Sequence, residues 1–365
     1  MTPTLSTPPP RKSNNGPTIP ADIRETLKYQ DPAYYEARRF NHKKQPPKLR
    51  PIYTLAGQAI CTPGNLATVN AAVKSGKSSV IGAMISAAMI DTGDQSRDAL
   101  GFWAENPNGL ALLHFDSEQS PDDHWWLVHR ALKRAGLTEP PTWLFSYCLT
   151  GLNAAESWRF VKNIVAHVAE ECGGVHSILI DGAADLVANV NDPAECNAFV
   201  AELHNLAIEQ DCPIIGVIHF NPGSDKTRGH LGSQLERKSE TNLRLDKDDD
   251  GIIELWSEKQ RRAPIVKGSG PCFAWNDKAD MHVTVENPAD ARHAAKADAK
   301  REEMRTEAES VFAQGKKPFH HKALVERMAE RLDQSEVCAK KKLRRWVENG
   351  IAVKDEASGL YTLSL

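Results

Sequence analysis

Residues 66 to 90, LATVNAAVKSGKSSVIGAMISAAMI, decide the fold of this 365-residue chain. The apolar run at 66 to 69 is rich in β-branched and aliphatic side chains and predicts a strand, which the small polar stretch at 70 to 75 interrupts. Gly76, Lys77 and Ser78 then open a segment with the apolar spacing of a helix. The stretch therefore predicts a strand, a loop and a helix in direct succession.

The loop has the residue types of a phosphate-binding loop. In such a loop the N–H groups at the helix N-terminus point at phosphate oxygens, a lysine reaches the β- and γ-phosphates, and a hydroxyl ligates Mg²⁺. Gly76, Lys77 and Ser78 fit these three tasks, although an ordinary glycine-containing helix start is the alternative. The common pattern has glycine at position 71, and Ala71 fits there only with a negative φ.

We therefore predict ATP and Mg²⁺ as cofactors. The predicted nucleotide contacts are Val73, Lys74, Ser75, Gly76, Lys77, Ser78 and Ser79, with Ser78 also a metal ligand.

Composition limits the class of protein. With 41% hydrophobic residues, 365 residues suffice for two or three domains with one sizeable core. No apolar run is long enough to span a membrane, the first residues lack the apolar segment of a secretory signal, and seven cysteines without metal-ligand spacing are typical of a reducing compartment. We expect a cytoplasmic protein without membrane contact. A net charge of −3 means that any contact with nucleic acid must come from local basic patches.

The chain divides into four segments by pattern. Residues 1 to 50 hold nine prolines and few aliphatic side chains, which predicts a disordered basic arm with a short helix near 21 to 29. This arm is either a tether to DNA or a partner, or a solvated tail. From 51 to 286, alternating strands and helices predict an α/β domain with a mostly parallel sheet that ends in antiparallel strands.

The remaining residues predict a small second domain. Residues 287 to 300 are alanine-rich and charged, typical of a linker or a solvent-bridging helix. Residues 301 to 365 show three helical segments, the third preceded by a capping box at 333 to 336, and then two short strands. Three helices followed by a hairpin predict a winged-helix domain.

Acidic residues at strand ends are the candidates for chemistry. Asp181 follows the buried strand at 177 to 180 and is placed to ligate Mg²⁺, the alternative being a surface aspartate that closes the strand. Glu118 follows the strand after the loop helix and is the candidate general base, the alternative being a favourable charge at a helix N-terminus. Asp116 is the second candidate for either role.

This order of parts resembles the RecA/DnaB class of ATPases over residues 51 to 285. Within that class it is most similar to the RepA-like ATPases of plasmids and mobile elements, which include ring-shaped replicative helicases. The resemblance implies that Glu118 activates water and that His219, ending the apolar run at 217 to 218, senses the phosphate. A histidine with a purely structural hydrogen bond is the alternative for His219.

Two further motifs resemble segments that act across subunit boundaries in that class. Arg228, in the stretch at 226 to 233, resembles an arginine that reaches a neighbour's γ-phosphate, and Lys259 and Arg261 resemble the KxR motif of DnaB-type helicases. Cations in such places stabilise charge on the transferring phosphoryl group. The resemblance implies self-association into a ring or filament, whereas a solvated basic face is the alternative for each motif.

The third helix of the C-terminal segment is the candidate DNA contact. Its predicted DNA-binding residues are Lys340, Lys341, Lys342, Arg344 and Arg345. We expect these cations on an outer face, with Val337, Leu343, Trp346 and Val347 facing the domain core. A solubilising face on a protein-docking domain is the alternative.

Three functions fit the sequence. The first is an ATP-driven motor or helicase acting on single- or double-stranded DNA, and the second is a DNA-binding ATPase that does not unwind: a regulator, loader or recombination accessory. The third, a small-molecule phosphotransferase, is disfavoured by the motifs that resemble interface cations.

Overall fold

The computed structural model describes residues 31–46, 48, 50–72, 74–91, 93–94, 96–221, 224, 226–312 and 317–364, without the side chains of 290–297. Val73 and the helix expected at 21 to 29 lie outside these residues. The chain divides into two compact units, Met1–Leu49 and Arg50–Leu365. In the first, residues 32–36 form a short helix that the sequence did not indicate, and Asp31 caps it by accepting a hydrogen bond from the N–H of Ala33.

The elements alternate as the pattern predicted. In chain order they are α1 (Pro32–Glu36), β1 (Tyr53–Leu55), β2 (Gln58–Cys61), β3 (Leu66–Ala71), α2 (Lys77–Met89), β4 (Phe102–Ala104), β5 (Ala111–Asp116), α3 (Pro121–Ala135), β6 (Leu144–Cys148), α4 (Ala154–Glu171), β7 (Val175–Asp181), α5 (Pro193–Glu209), β8 (Ile214–His219), α6 (Gly229–Lys238), β9 (Thr241–Lys247), β10 (Ile253–Gln260), β11 (Cys272–Asn276), β12 (Met281–Val285), α7 (Pro288–Phe312), α8 (His321–Arg331), α9 (Glu336–Glu348), β13 (Ala352–Lys354) and β14 (Tyr361–Leu363).

The central sheet has nine strands in the order β12-β11-β10-β9-β3-β8-β7-β5-β6. The strands from β9 to β6 pair in parallel, while β9-β10, β10-β11 and β11-β12 pair antiparallel. The predicted α/β architecture, parallel at first and antiparallel at its end, is therefore correct. The sequence missed β11 and the small sheet β2-β1-β4.

Apolar side chains fill both faces of the central sheet. One core joins alternate strand residues to α2 and α3, and the other joins them to α4, α5 and α6. All six residues of β3 are buried, as a parallel strand covered on both faces requires. Burial on both faces leaves the carboxyl ends of the strands as the exposed edge where side chains meet solvent.

Register brings the predicted strand-end residues together. Asp116 of β5 pairs with Asp181 of β7, and Ala71 of β3 pairs with His219 of β8. Ala71 ends its strand in extended backbone and is not among the residues with positive φ, so alanine is tolerated in place of glycine.

Helix starts follow the local sequence with one exception. Ser120 and Asp192 accept hydrogen bonds from N–H groups in the first turns of α3 and α5, and Gly136 ends α3 at φ 76°. The expected capping box at 333 to 336 is wrong, because Ser335 is the N-cap of α9 and accepts from the N–H of Cys338.

The C-terminal segment consists of three helices and the antiparallel hairpin β13-β14. The segment from 288 to 312 is one continuous helix. Of the two alternatives for residues 287 to 300, a linker or a helix, the helix is therefore the correct one. Leu343 and Trp346 are buried in a separate core with residues of α7 and α8, as expected, but Val337 and Val347 are 63% and 38% exposed.

All seven cysteines are free thiols. Among the described residues, no helix combines the length and hydropathy that crossing a membrane requires.

Candidate functional site

The loop between β3 and α2 is shaped for a ligand at the helix N-terminus. Lys74 and Gly76 adopt left-handed backbone, with φ 61° and 88°. Glycine suits position 76 because of this φ, and a Cβ there would also lie 2.7 Å from Cδ1 of Ile253, which would have to shift. The Lys77 ammonium donates a hydrogen bond to the carbonyl oxygen of Ala72 at 2.8 Å. The lysine thus lies folded onto the loop that it is predicted to serve.

Polar contacts fix the first turn of α2. The Oγ of Ser75 donates to the Ala72 carbonyl at 2.6 Å, and the Oγ of Ser79 lies 2.7 Å from Nδ1 of His282. The amide nitrogen of Gln119 lies 3.5 Å from the Oγ of Ser78. Ser78 therefore lies beside the turn after β5, which also carries the predicted base Glu118.

Asp181 is a buried carboxylate without compensation. Its side chain belongs to a residue that is 1% exposed, and neither carboxylate oxygen has a hydrogen-bond partner among the described residues. Burial, with the nearby charges of Asp116 and Glu118, raises its pKa to about 8, against the opposing effect of Lys77. A buried carboxylate without hydrogen-bond partners favours the binding of a cation.

Asp116 is the opposite case, a buried carboxylate with hydrogen-bond partners at both oxygens. It accepts from the N–H groups of Glu118 and Gln119 and from the Gln119 amide, and it lies 3.2 Å from Nδ1 of His124. Although burial acts to raise its pKa, the contact with His124 and the backbone bonds bring the net pKa below the usual value. These bonds assign Asp116 to shaping the turn that carries Glu118.

Glu118 and His219 form a pair at the strand ends. Glu118 Oε1 lies 2.6 Å from His219 Nε2, both side chains being about a quarter exposed. The N–H of Arg228 donates to the carbonyl oxygen of His219, which ties the start of α6 to the end of β8. The structure therefore brings Lys77, Glu118, Asp181, His219 and Arg228 to one edge of the sheet.

The sequence did not predict two residues of this edge, the acid Asp185 and the amide Gln119. Asp185 lies in the 3-10 turn after β7, accepts from the Oγ of Ser117, and has a pKa that burial raises and Arg228 lowers. Gln119 joins Ser78 to Asp116. An acid four residues after Asp181 was the available signal for Asp185, whereas nothing in the sequence distinguished Gln119 from a helix-flanking residue.

Lys259 and Arg261 lie elsewhere. Gln260 of β10 pairs with Thr241, the first residue of β9, so this end of β10 is at the edge of the sheet opposite the loop. The Lys259 ammonium donates to the carbonyl oxygens of Glu236 and Arg237 at 2.9 Å each, and Arg261 donates to the Asn65 side chain at 3.3 Å. Neither cation can serve the loop of its own chain.

A small cavity adjoins the first turn of α2. Its volume is about 110 Å³, and its walls include Ser78, Ser79, Arg130, Trp275 and His282. The guanidinium of Arg130 lies 5.4 Å from the ring centroid of Trp275, and Trp275 is 47% exposed. A half-exposed indole beside a phosphate loop offers a flat face for a planar group.

The cations of α9 are not equivalent. Lys342 pairs with Glu307 of α7 at 2.7 Å, so the expectation that it lies on the outer face is wrong. Lys340 and Arg344 pair with Glu336 and Glu348 of their own helix. Lys341 and Arg345 are exposed one turn apart, without a carboxylate in ion-pairing distance among the described residues.

We call the group at this edge the edge cluster: Lys77, Glu118, Asp181, His219 and Arg228. It has the chemical groups that phosphoryl transfer to water needs. A lysine and a helix N-terminus attract phosphate, a buried unpartnered carboxylate attracts a cation, and a second carboxylate stands free of the helix to accept a proton.

The family comparison agrees with this chemistry. A family model described as "AAA domain" matches residues 25–225, more than half of the chain. The structure titled "Crystal structure of the RadB recombinase" is similar at 19% identity and a TM-score of 0.43, over 64% of this chain and 95% of that one. No curated protein has a significant sequence match to this chain.

Proposed function

The chain belongs to the AAA-domain family of P-loop ATPases, and from that premise we propose that it is an ATP-hydrolysing, DNA-binding protein that works as an oligomer. More narrowly, we propose a RepA/DnaB-like DNA motor or helicase of a mobile element or replicon. The observation that carries the proposal is the meeting of Lys77, Glu118 and Asp181 at one edge of the sheet, close enough that both acids raise the pKa of the lysine, which burial lowers.

The residues present fit a magnesium ion. Both oxygens of Asp181 are buried and unpartnered among the described residues. The Gln119 amide lies 3.5 Å from the Ser78 hydroxyl and bonds to Asp116, the register partner of Asp181. Ser78 and Asp181 would hold Mg²⁺, and the ion would neutralise charge on the phosphates. Hard oxygen donors of this kind are the ligands that Mg²⁺ prefers.

Glu118 is the proposed general base, and His219 its partner. Nε2 of His219 lies 2.6 Å from Oε1 of Glu118. Removal of a proton from water by Glu118 requires that one carboxylate oxygen face the attacking molecule, and the exposed fraction of the pair leaves room for it. His219 then positions the base and reports the occupation of the phosphate site to the loop that follows β8.

The cavity beside Ser79 is the proposed site of the nucleoside. Trp275 and Arg130 present a flat, polarisable wall for a base, whereas Gln119 and Asp123 offer polar groups at its rim. We expect Trp275→Ala to weaken nucleotide binding about 5- to 20-fold, because stacking contributes on the order of 1–2 kcal/mol. Trp103→Ala is the control, since Trp103 is 37% exposed in the separate small sheet. Fluorescent-nucleotide titration measures both, and equal losses would contradict the assignment.

Oligomerisation is proposed from the separation of the cations. Arg261 is exposed at the edge opposite its own loop, and Lys259 holds the end of α6 in place beside it. A head-to-tail contact would bring this edge to the loop of a second copy, and such heterologous contacts close into rings or extend as filaments. Arg228, whose N–H donates to the carbonyl oxygen of His219, is the cation proposed at the other side of that contact.

DNA binding is proposed from the C-terminal segment. Three helices and a hairpin have the order of a winged-helix domain, and α9 presents Lys341 and Arg345 to solvent. Lysine and arginine on an exposed helix face contact phosphates and position a protein on DNA without reading bases. The proposal therefore includes affinity for DNA and no sequence preference.

One experiment tests the three parts together. ATP turnover is measured with no DNA, with single-stranded DNA and with double-stranded DNA, and the mass of the full chain is measured with and without ATP. We expect DNA to raise turnover and ATP to favour a higher-order assembly. A chain that stays monomeric with ATP, or whose turnover ignores both DNA forms, would contradict the motor. Turnover with assembly but without unwinding of a labelled duplex would identify a non-unwinding DNA-binding ATPase.

A further inference from the structure

A buried histidine and two buried aspartates meet behind the proposed magnesium site. His114 and Asp116 lie two residues apart on β5 and so face the same side of the sheet, and Asp181 is the register partner of Asp116 on β7. One donor atom from each of the three side chains lies within 4.8 Å of the other two, and all three residues are buried. We propose that His114, Asp116 and Asp181 form a binding site for a first-row transition-metal cation such as Zn²⁺.

Unpartnered atoms point to a missing cation. Within the described part of the chain, Nε2 of His114 and both carboxylate oxygens of Asp181 have no hydrogen-bond partner. Buried polar atoms are normally paired, and each one left alone costs about 1–3 kcal/mol. A cation bound by one donor atom from each residue satisfies His114 Nε2 and one oxygen of Asp181 at once.

The surroundings of the ligands hold them in place. Nδ1 of His114 lies 2.8 Å from the Oγ of Ser146, which leaves Nε2 as the free ring nitrogen. The same Oγ lies 3.1 Å from Nε2 of His124, whose Nδ1 contacts Asp116. Hydrogen bonds of this kind to the far side of each ligand orient metal ligands and are a usual feature of histidine–carboxylate metal sites.

The donor set selects the class of ion. An imidazole nitrogen is a good ligand for Zn²⁺, Co²⁺ and Ni²⁺ and a poor one for Mg²⁺, which prefers oxygen. Bonds of about 2.0–2.2 Å place neighbouring donors of a tetrahedral ion about 3.3–3.6 Å apart, so the three side chains need to move inward by about 1 Å or less. Three protein ligands leave the fourth position open. Because Asp181 is shared with the proposed Mg²⁺ site, Zn²⁺ and magnesium nucleotide compete.

The test uses the full chain with Zn²⁺ alone and no nucleotide, so that it does not depend on the proposed ATPase function. Zinc affinity is measured by calorimetry against a chelator of known affinity for wild type, His114→Asn and His176→Asn. His176 is the matched control, because it is also a buried histidine of the same sheet and its pKa is likewise lowered to about 4 by burial. We expect His114→Asn to weaken Zn²⁺ binding at least 30-fold and His176→Asn to leave it unchanged.

A second variant keeps the test decisive if His114→Asn does not fold, which a thermal unfolding curve reveals. Asp181→Asn keeps the size of the side chain and removes its charge, and it too is expected to weaken Zn²⁺ binding at least 30-fold. Equal affinity in wild type and Asp181→Asn would overturn the proposal. So would wild-type binding no tighter than that of His114→Asn, since the zinc would then be held by surface histidines, and a shared proton would be the occupant of the buried cluster.

Discussion

Burial acts on Asp181 and Lys77 in the same sense, because it favours the uncharged form of both. It raises the pKa of Asp181 to about 8 and lowers the pKa of Lys77 below its usual value. Each group keeps part of its charge through the other, since they lie at the same edge of the sheet. The approach of phosphates to Lys77 and of a cation to Asp181 supplies the missing partners, so the free energy of binding restores charges that folding suppressed.

Magnesium affinity is expected to depend on pH through Asp181. Below about pH 8 the metal-free carboxyl is largely protonated, and a cation must displace that proton. The apparent affinity for Mg²⁺ in the presence of a non-hydrolysable ATP analogue should therefore rise about tenfold per pH unit from 6 to 7.5 and level off above 8. Calorimetric titration in buffers of different ionisation enthalpy measures both the affinity and the proton release. A pH-independent affinity without proton release would contradict the assignment of Asp181 as the ligand.

Glu118 is expected to act in turnover and not in binding. Glu118→Gln keeps the size and the contact with His219 and removes the proton acceptor, so the rate of ATP hydrolysis should fall about 10²- to 10⁴-fold while ATP affinity changes less than threefold. Glu139→Gln, at an exposed position after α3, is the control and should retain the wild-type rate. A Glu118→Gln variant that hydrolyses ATP at the wild-type rate would transfer the role to Asp116 or Asp185.

Single residues differed in how far the sequence could place them. Glu118, Asp181 and His219 were predictable because each one follows a recognisable apolar strand, and strand ends in a parallel sheet share an edge. Asp185 and the position of Lys342 were not, because they depend on a 3-10 turn and on how α9 packs against α7. Local pattern carries the first kind of information and only tertiary packing carries the second.

At the scale of elements, α9 separates its cations by their partners. Lys340, Lys342 and Arg344 are partly neutralised by carboxylates, while Lys341 and Arg345 stand one turn apart on a face that also exposes Val337. A cation binds phosphate most strongly when it does not first have to break an ion pair within the protein. Of the five cations that the sequence assigned to the outer face of α9, only Lys341 and Arg345 are thus exposed without an ion pair among the described residues.

The double variant Lys341→Ala/Arg345→Ala is expected to weaken DNA binding at 50 mM salt about tenfold or more. The slope of log Kd against log salt should fall by about 2, since two phosphate contacts are lost. Lys340→Ala/Arg344→Ala removes the same charge from the same helix and should have a clearly smaller effect, because those cations already pair with Glu336 and Glu348. Fluorescence anisotropy with a labelled duplex measures Kd for the wild type and for both double variants. Equal losses in the two double variants would contradict the assignment of the face.

At the scale of the whole molecule, the α/β class and the antiparallel end of the sheet followed from the sequence, because strands buried on both faces and strands with alternating pattern differ visibly. The strand order did not follow from the sequence. The antiparallel pairing of β10 with β9 puts Arg261 at the edge opposite Lys77. β8 lies between the loop strand β3 and the strand of Asp181, so His219 and Asp181 end neighbouring strands. The short sheet β2-β1-β4 was missed because strands of three or four residues show no period.

Whether the edge cluster hydrolyses ATP is decided most directly by phosphate release from magnesium ATP, measured for the wild-type full chain beside Lys77→Ala. Lys77 is the first residue of α2, and its ammonium lies against the phosphate loop through its hydrogen bond to the Ala72 carbonyl. We predict continuous release by wild type and a loss of at least 100-fold in Lys77→Ala, with the thermal unfolding temperature of the metal-free variant unchanged within a few degrees. Release by the variant at the wild-type rate, or no release by the wild type with DNA present, would contradict the assignment of this site.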